Sequence, residues 1–522
     1  MAIINQPLRK LPIGIQSFEN LREEEYLYVD KTALIYKLVT TGKPYFLSRP
    51  RRFGKSLLLS TLKAYFQGKK ELFEGLDIEE LEQDWTVHPV LHMSLNAEKY
   101  NSPEMLATIL ERQLREWETL YDTGGEGETV SGRFMAVIKQ ARQRTGQQVV
   151  VLIDEYDKPL LETMHNKELQ DQFRSTLVAF YSVLKDADPY LKFILITGVT
   201  KFAQLSIFST LNQLSDISMV NEFSSICGLT RREIEDTFTP ELEALAIQEE
   251  ITQPQVMSEM ARMYDGYRFT QGKTEGLFNP FSVLSALRYQ QLSNYWASTG
   301  TPTFLVNILQ QTDYDLRYLD GVEVSEAGLM NYLADTQSPI PMIYQSGYLT
   351  IKSYDREFFL YQLGYPNAEV KYSLLNYMLP YYTPLRNTDA PFYIGKFVTE
   401  LRAGEVDAFM TRFRAFFAGI TYELSDDTER HYQAIFYIVL TLLGQFTQVE
   451  VRSSHGRADA VVKTPNYIYV FEFKLSGTAE EALKQIDEKG YLIPYTTDSR
   501  TLVKVGAEFD KATRNIGRWL KG

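Results

Sequence analysis

The chain has 522 residues, 44% of them hydrophobic, with 34 Tyr and 30 Phe; a length of roughly three to five domains with this much apolar material excludes a small scaffold or a mainly disordered chain. One cysteine, Cys227, and five histidines without zinc-ligand spacing exclude a disulfide framework and a zinc protein. The formal charge of −13 excludes a uniformly basic coat for nucleic acid, yet it is unevenly spread: from Glu429 onward there are 13 Lys/Arg against 11 Asp/Glu, and before it 41 against 56.

The opening segment MAIINQPLRKLPIGIQ has no continuous apolar stretch, and the longest apolar run, Ala434 to Phe446, is broken by Thr441, Gly444 and Gln445. Neither can span a bilayer, so a soluble, cytoplasmic protein is expected. From Pro44 to Thr200 short apolar strands alternate with amphipathic helices: PYFLS then LLLSTLKAYF, PVLHMSL then MLATILERQLREW, VVVLID then a helix through Tyr181, and FILIT. This rhythm predicts an α/β domain with a parallel sheet covered by helices, interrupted by the turn-rich insertion TGGEGETVSG. Gly228 to Leu292 reads as a helical lid. Thr301 to Pro384 mixes helices with the hairpin-like IYQSGYLTIKSYDREFFLYQLG and predicts a winged-helix-like module. PLRNTDAP is a further break, and LSDDTE, ending at Glu429, reads as a helix start and a domain boundary. The expected division is 1–227, 228–300, 301–425 and 426–522.

FLSRPRRFGKS, Phe46 to Ser56, lies between a predicted strand and a predicted helix. A phosphate loop needs backbone amides around the anion, a lysine for charge and a hydroxyl for Mg²⁺. Gly54, Lys55 and Ser56 fit, although Arg49 stands where the G-x-x-x-x-G-K-[ST] pattern has glycine. FGKS by itself also suits a capped helix start. Downstream, VVVLIDEYD places Asp154 and Glu155 at the end of an apolar strand, the order in which a Mg²⁺-coordinating acid precedes a water-polarising one. The other reading of that segment is a buried strand entering an acidic helix cap. Thr197 in FILITGVTK reads as a sensor on a neighbouring strand. Lys201, Arg49, Arg51 and Arg52 either meet phosphate charge or form solvated surface.

Taken together, LPIGIQSFENLREEEYLYVDKTALI, SRPRRFGKSLLLSTL, LIDEYDKPL, LITGVTKF and LFNPFSVL resemble the bacterial AAA-ATPase-like family, whose members often carry a C-terminal PD-(D/E)xK nuclease-like domain. The resemblance covers nearly the whole chain. It implies that Arg49 is a family variation of the P-loop, that ATP and Mg²⁺ are the cofactors, and that the C-terminal region is a restriction-endonuclease-like α/β domain.

HGRADAVVKTPNYIYVFEFKL, His455 to Leu475, reads as two strands joined at Lys463 to Asn466. Strand alternation puts Ile468, Val470, Glu472 and Lys474 on one face and Tyr467, Tyr469, Phe471 and Phe473 on the other. Asp459 on the preceding strand can approach Glu472, giving two oxygen ligands for Mg²⁺ or Mn²⁺, with Lys474 placed to orient or deprotonate water. This D-x₁₂-E-x-K spacing is similar to the PD-(D/E)xK core. The resemblance adds Glu429, on the preceding helix, as an accessory acid and Gln485, on the following helix, as a substrate-orienting residue; Ala458 replaces the motif's proline. E-x-K by itself is also compatible with an edge-strand pair that only solvates a sheet. Finally, Lys511, Arg514, Arg518 and Lys521 are spaced 3, 4 and 3 apart, which predicts a terminal helix with one cationic face for a phosphate backbone, or else an ordinary solvated face. His92 and His455 have no required role, and YDGYRF and NYWAS read as packing.

The expected activity is ATP-controlled phosphodiester hydrolysis, with DNA favoured over RNA and a homo-oligomer compatible with the sequence. The reading from a different class is an ATP-switched nucleic-acid-binding or scaffold protein that does not cut.

Overall fold

The computed structural model describes residues 9–522 except 97–98, 125–128, 202–213, 273, 297–304, 307, 310–311, 313, 331–337, 384–389, 419–428, 445, 452–458, 475, 511 and 514. The chain divides into two compact units, Met1–Thr312 with Gly321–Glu369, and Asp313–Asp320 with Val370–Gly522. No helix among the described residues is long and apolar enough to cross a membrane.

In the first unit, β1 (Pro44–Ser48), β2 (Val90–Ser94), β3 (Val149–Asp154), β4 (Leu191–Gly198) and β5 (Ser215–Asp216) form a parallel sheet in the order β2-β3-β4-β1-β5. All six residues of β3 are buried, as expected for a strand covered on both faces. The helices Pro103–Tyr121, Val130–Thr145 and Lys167–Asp186 turn their apolar stripes to one core, where Phe134 stacks between Trp117 and Phe180 at centroid distances of 5.5 and 4.6 Å. The strand order sets β4 between β1 and β3, so the loops leaving all three converge at one edge of the sheet. That edge is the usual crevice of an open α/β sheet.

The helices Arg231–Thr237, Thr239–Gln248, Gln253–Tyr264 and Pro280–Tyr289 share a second core, built on Ile234, Leu242, Leu245, Val256, Met260 and Val283. Both predicted hairpin strands are present in the middle region: β7 (Thr350–Asp355) and β8 (Leu360–Gly364) pair antiparallel, and β6 (Glu323–Ser325) adds to β8. The helix Ile340–Gln345 precedes them in the region predicted as a winged-helix-like module.

Glu369 is a buried carboxylate in this unit, accepting hydrogen bonds from the amides of Tyr295 and Trp296 and from the Ser282 hydroxyl at 2.8 Å. Burial outweighs these donors and pushes its pKa up to about 7 from 4.5. A raised folded-state value favours the fold below pH 4.5 and loses that contribution as pH climbs through 7, a change of about 3 kcal/mol. Glu369→Gln keeps the amide contacts without the charge. Denaturant titrations from pH 5 to 8 should show a flatter pH slope in the variant; an unchanged slope would contradict this account of Glu369.

In the second unit, β9 (Gln448–Val451), β10 (Ala460–Lys463), β11 (Tyr467–Lys474), β12 (Thr501–Asp510) and β13 (Asn515–Lys521) form a mixed sheet in the order β13-β12-β11-β10-β9, with only β11 and β12 parallel. One face of β11 is aromatic: Tyr469, Phe471 and Phe473 stack in succession, Phe471 lies 5.6 Å from Phe409, and Phe473 lies 4.4 Å from Phe436. The opposite face carries Ile468 and Val470, buried against Val461 and Ile486, and then Glu472 and Lys474.

The chain's end corrects the expected cationic helix. Asn515–Lys521 is β13, paired antiparallel with β12 through Asp510↔Asn515 and Val505↔Lys521. Asp510 turns the chain: its carboxylate accepts from the Ala512 amide and the Thr513 hydroxyl, both at 2.8 Å, a side-chain turn that starts a hairpin. Arg518 pairs with Glu480 and Lys521 with Asp407, each at 2.6 Å, so neither contributes to a helical basic stripe. Lys511 and Arg514 lie outside the described residues, as do His455 and most of LSDDTE.

Candidate functional site

The segment after β1 is shaped by two left-handed residues, Arg52 at φ 68° and Gly54 at φ 96°, the latter capping the helix Lys55–Phe66. The arginine's conformation is disfavoured for a side chain with a Cβ, and such strain is typical of a loop held open for a ligand. The loop delivers the positive end of the helix and its free amides to the sheet edge. Lys55 is buried, with Nζ donating to the carbonyls of Arg49 at 2.8 Å and Pro50 at 3.1 Å. Burial lowers its pKa, while Asp154, Glu155 and Asp157 oppose that shift. The Ser56 hydroxyl donates to Asp154 Oδ2 at 2.6 Å, and the Thr197 hydroxyl donates to Asp154 Oδ1 at 2.8 Å. Two strands and the helix that follows β1 thus bring Asp154, Thr197 and Ser56 into one hydrogen-bonded group.

Glu155 follows with φ 51°, and burial raises its pKa against the pull of Lys55. Arg51 and Arg52 are exposed beside the loop, with Arg52 over the Phe281 ring. Two expected phosphate partners are engaged elsewhere. Lys201 pairs with Asp216 at 2.8 Å. The Arg49 side chain is 1% exposed, its guanidinium donating to the Ser48 carbonyl at 2.9 Å and the Ser218 carbonyl at 2.8 Å. In this structure both cationic groups are turned to protein partners.

Sequence reasoning missed two features here. Asp157 is buried, with Oδ2 accepting from the amides of Val199 and Thr200 and from the Thr200 hydroxyl, which fixes the turn after β4 to the acidic segment. The third acid of LIDEYD was its only signal. A largely apolar cavity of about 100 Å³ also abuts Gly54 and Leu57, lined among others by Leu27, Val29, Ile226, Leu229 and Leu284. Its walls come from several widely separated stretches of sequence, from Pro12 to Leu284, so no local pattern announces it.

In the second unit, Asp459 is the residue before β10, and the register Ala460↔Phe471 extends to set it opposite Glu472. Asp459 Oδ2 accepts from the Phe473 amide at 2.8 Å. Glu472 is 4% exposed; its Oε1 accepts from the Gln485 side-chain amide and lies 3.5 Å from Lys474 Nζ. Lys474 Nζ also donates to Gln485 Oε1. Gln485 sits on the helix Ala479–Glu488, whose start is fixed by a Thr478/Glu481 capping box. The structure thus brings together Asp459, Glu472, Lys474 and Gln485. Glu429 begins the helix Glu429–Leu443, but its side chain lies outside what is described.

Burial, then the Asp459 charge, pushes Glu472 up to about 7, with Lys474 opposing; Asp459 is raised by burial too. Glu472 Oε2 is buried and has no hydrogen-bond partner among the described residues. A buried carboxylate with a bare oxygen, opposite a partly exposed second carboxylate, is short of positive charge, which fits a divalent cation with oxygen ligands. Among the described residues no group of three or more His, Cys, Asp or Glu is placed to hold a metal. Arg317, from the segment Asp313–Asp320, bears electrostatically on Asp459 and was not foreseen.

The family model for predicted AAA-ATPases matches residues 12–208, and that for the PD-(D/E)XK nuclease superfamily matches residues 427–519. An uncharacterized protein in the vnfD 5′ region of Azotobacter chroococcum mcd 1 is 36% identical over 524 positions, covering 97% of this chain and 98% of its own length. No solved structure matches. The two matches fall where the phosphate loop and the D-x₁₂-E-x-K strands lie, and the chain belongs to the AAA-ATPase-like family and carries a C-terminal domain of the PD-(D/E)XK nuclease superfamily.

Proposed function

We propose that the protein binds and hydrolyses ATP with Mg²⁺ and, under control of the bound nucleotide, cleaves nucleic-acid phosphodiesters, DNA in preference to RNA. The observation that carries the nuclease reading is the bare, buried Glu472 Oε2 opposite Asp459, beside an amine held in place by Gln485. Asp459 and Glu472 would hold Mg²⁺ or Mn²⁺, and the cation supplies charge neutralisation at the scissile phosphate and a more acidic water. Lys474 orients that water, and Gln485 bridges Lys474 and Glu472 so that neither swings away. Glu429 is assigned as the accessory acid.

In the ATP site, Lys55 exchanges the loop carbonyls for phosphate oxygens. Ser56 and Asp154 would hold Mg²⁺, Glu155 is assigned to polarise the attacking water, and Thr197 to sense the γ-phosphate through Asp154. The apolar cavity beside Gly54 is assigned to the base. The division 1–227, 228–300, 301–425 and 426–522 stands as the proposed functional partition, in a cytoplasmic protein able to self-associate.

The test is purified full-length protein against DNA and RNA substrates with Mg²⁺ or Mn²⁺, with and without ATP. Cation-dependent cutting that changes with ATP supports the proposal. Binding of nucleic acid in every arm without cutting would favour the scaffold reading.

A further inference from the structure

The phosphate loop has an outer surface as well as a ligand-facing one, and Arg49 organises it. The Arg49 guanidinium reaches two backbone turns: beyond Ser218, Nη2 donates to the carbonyls of Phe223 at 3.3 Å and Ser224 at 3.4 Å. Its carbon lies 4.3 Å from the Phe269 ring centroid. Burying a guanidinium is costly unless its donors are satisfied; here Nη1 and Nη2 are, while Nε is buried without a partner among the described residues, and the planar fork spans separate carbonyls as a lysine cannot. A residue held this way is anchored firmly, and its main chain is anchored with it. The Arg49 amide donates to the Gly198 carbonyl at 3.1 Å, and its carbonyl is one of the two that hold Lys55.

The next residue continues the contact. Pro50, the other acceptor of Lys55, presses on the middle module at Gly347. That glycine has φ 89°, and a Cβ there would lie 2.6 Å from Pro50 Cβ. Phe53 packs against Tyr267 and Phe269 at 4.7 and 5.6 Å, and its carbonyl accepts from the Gly228 amide at 3.1 Å. From the far side, the Gln345 side chain accepts from the Lys201 amide just past β4. The two carbonyls that Lys55 must release to a phosphate therefore belong to the residues wedged against 218–224 and 345–347.

We propose that Arg49 is a positioning residue of the nucleotide site, tying the phosphate loop to segment 218–224 and to the Gly347 turn, so that loading of the loop is relayed to the winged-helix-like module. This rests on the assignment of the loop as an ATP site and adds the route by which occupancy leaves it. Arg49 touches no phosphate; it sets the loop backbone that Lys55 and the ligand share. The glycine of the usual pattern would leave that backbone without a brace.

The test is hydrogen exchange on the full-length protein with and without ATP and Mg²⁺, together with ATP affinity and turnover, for wild type, Arg49→Lys and Gly347→Ala. In wild type, ATP should change exchange at 218–228 and 343–350 by about threefold or more. Arg49→Lys should keep ATP affinity within about threefold while turnover falls about tenfold and the remote response disappears, since the cation remains but the fork does not. Gly347→Ala, which disturbs the same contact from the other side, should also lose the response, and it keeps the test open if the arginine variant does not fold. A wild-type response persisting in both variants overturns the proposal. Affinity falling in Arg49→Lys more than about tenfold, with the remote response intact, overturns it in favour of a direct phosphate contact. Wild type that binds no ATP overturns the loop assignment and the relay together.

Discussion

Asp459→Ala and Glu472→Ala should each reduce cleavage on the order of a thousandfold or more, because each removes an oxygen ligand and its charge from a site with only two described acids. Lys474→Ala should differ in kind. It leaves both carboxylates, so calorimetric Mn²⁺ binding should persist while cutting of supercoiled and linear DNA is lost. Gln485→Ala should act through the two side chains it joins, Glu472 and Lys474, weakening cation binding and turnover together. Wild-type pH behaviour supplies a check without mutation. Glu472 is pushed up to about 7, so protons compete with the cation below that pH. At limiting Mg²⁺, cleavage should fall by up to about tenfold per pH unit as pH drops through 7, and higher Mg²⁺ should move the fall to lower pH. Cutting that survives all three alanine variants places the chemistry elsewhere.

Lys55→Ala should weaken ATP binding by about a hundredfold or more, as it removes the one buried ammonium at the loop. The same change leaves the Arg49 and Pro50 carbonyls without their donor, so a modest loss of stability should accompany it. Glu155→Gln should preserve affinity, measured by titration calorimetry, and slow hydrolysis by about a hundredfold, since only the activation of water is touched. Unchanged affinity in Lys55→Ala would remove the nucleotide assignment, and with it any reason to expect a difference at Glu155.

Both sites were legible wherever chemistry and local geometry coincide. VVVLID is β3, with Asp154 at its end, and YIYVFEFK is β11, with the foreseen separation of aromatic and polar faces. Period and burial suffice for such strands. The chain's end was misread because Lys511, Arg514, Arg518 and Lys521 satisfy a helical spacing over too short a stretch. Pairing with β12 and the Asp510 turn outweigh that weak local preference. Arg49 shows a different limit. Apart from the adjacent Ser48, its carbonyl partners and Phe269 are about 170 to 220 residues away, so composition identifies the cation but not the direction in which it turns. The apolar cavity was invisible for the same reason.

The connectivity of the two units bears on how this protein can be dissected and how such proteins can be assembled. The chain passes from the first unit to the second at 312–313, returns at 320–321 and leaves again at 369–370. A fragment cut at residue 427, where the nuclease match begins, would discard Arg317 and the helix Val406–Ala418, whose Phe409 packs on Phe471 and whose Phe413 faces Phe436. Such a fragment would expose an aromatic surface and should precipitate. The nuclease-superfamily domain therefore cannot be excised as a terminal cassette, and exchanging it between relatives requires moving two separate stretches of gene in concert.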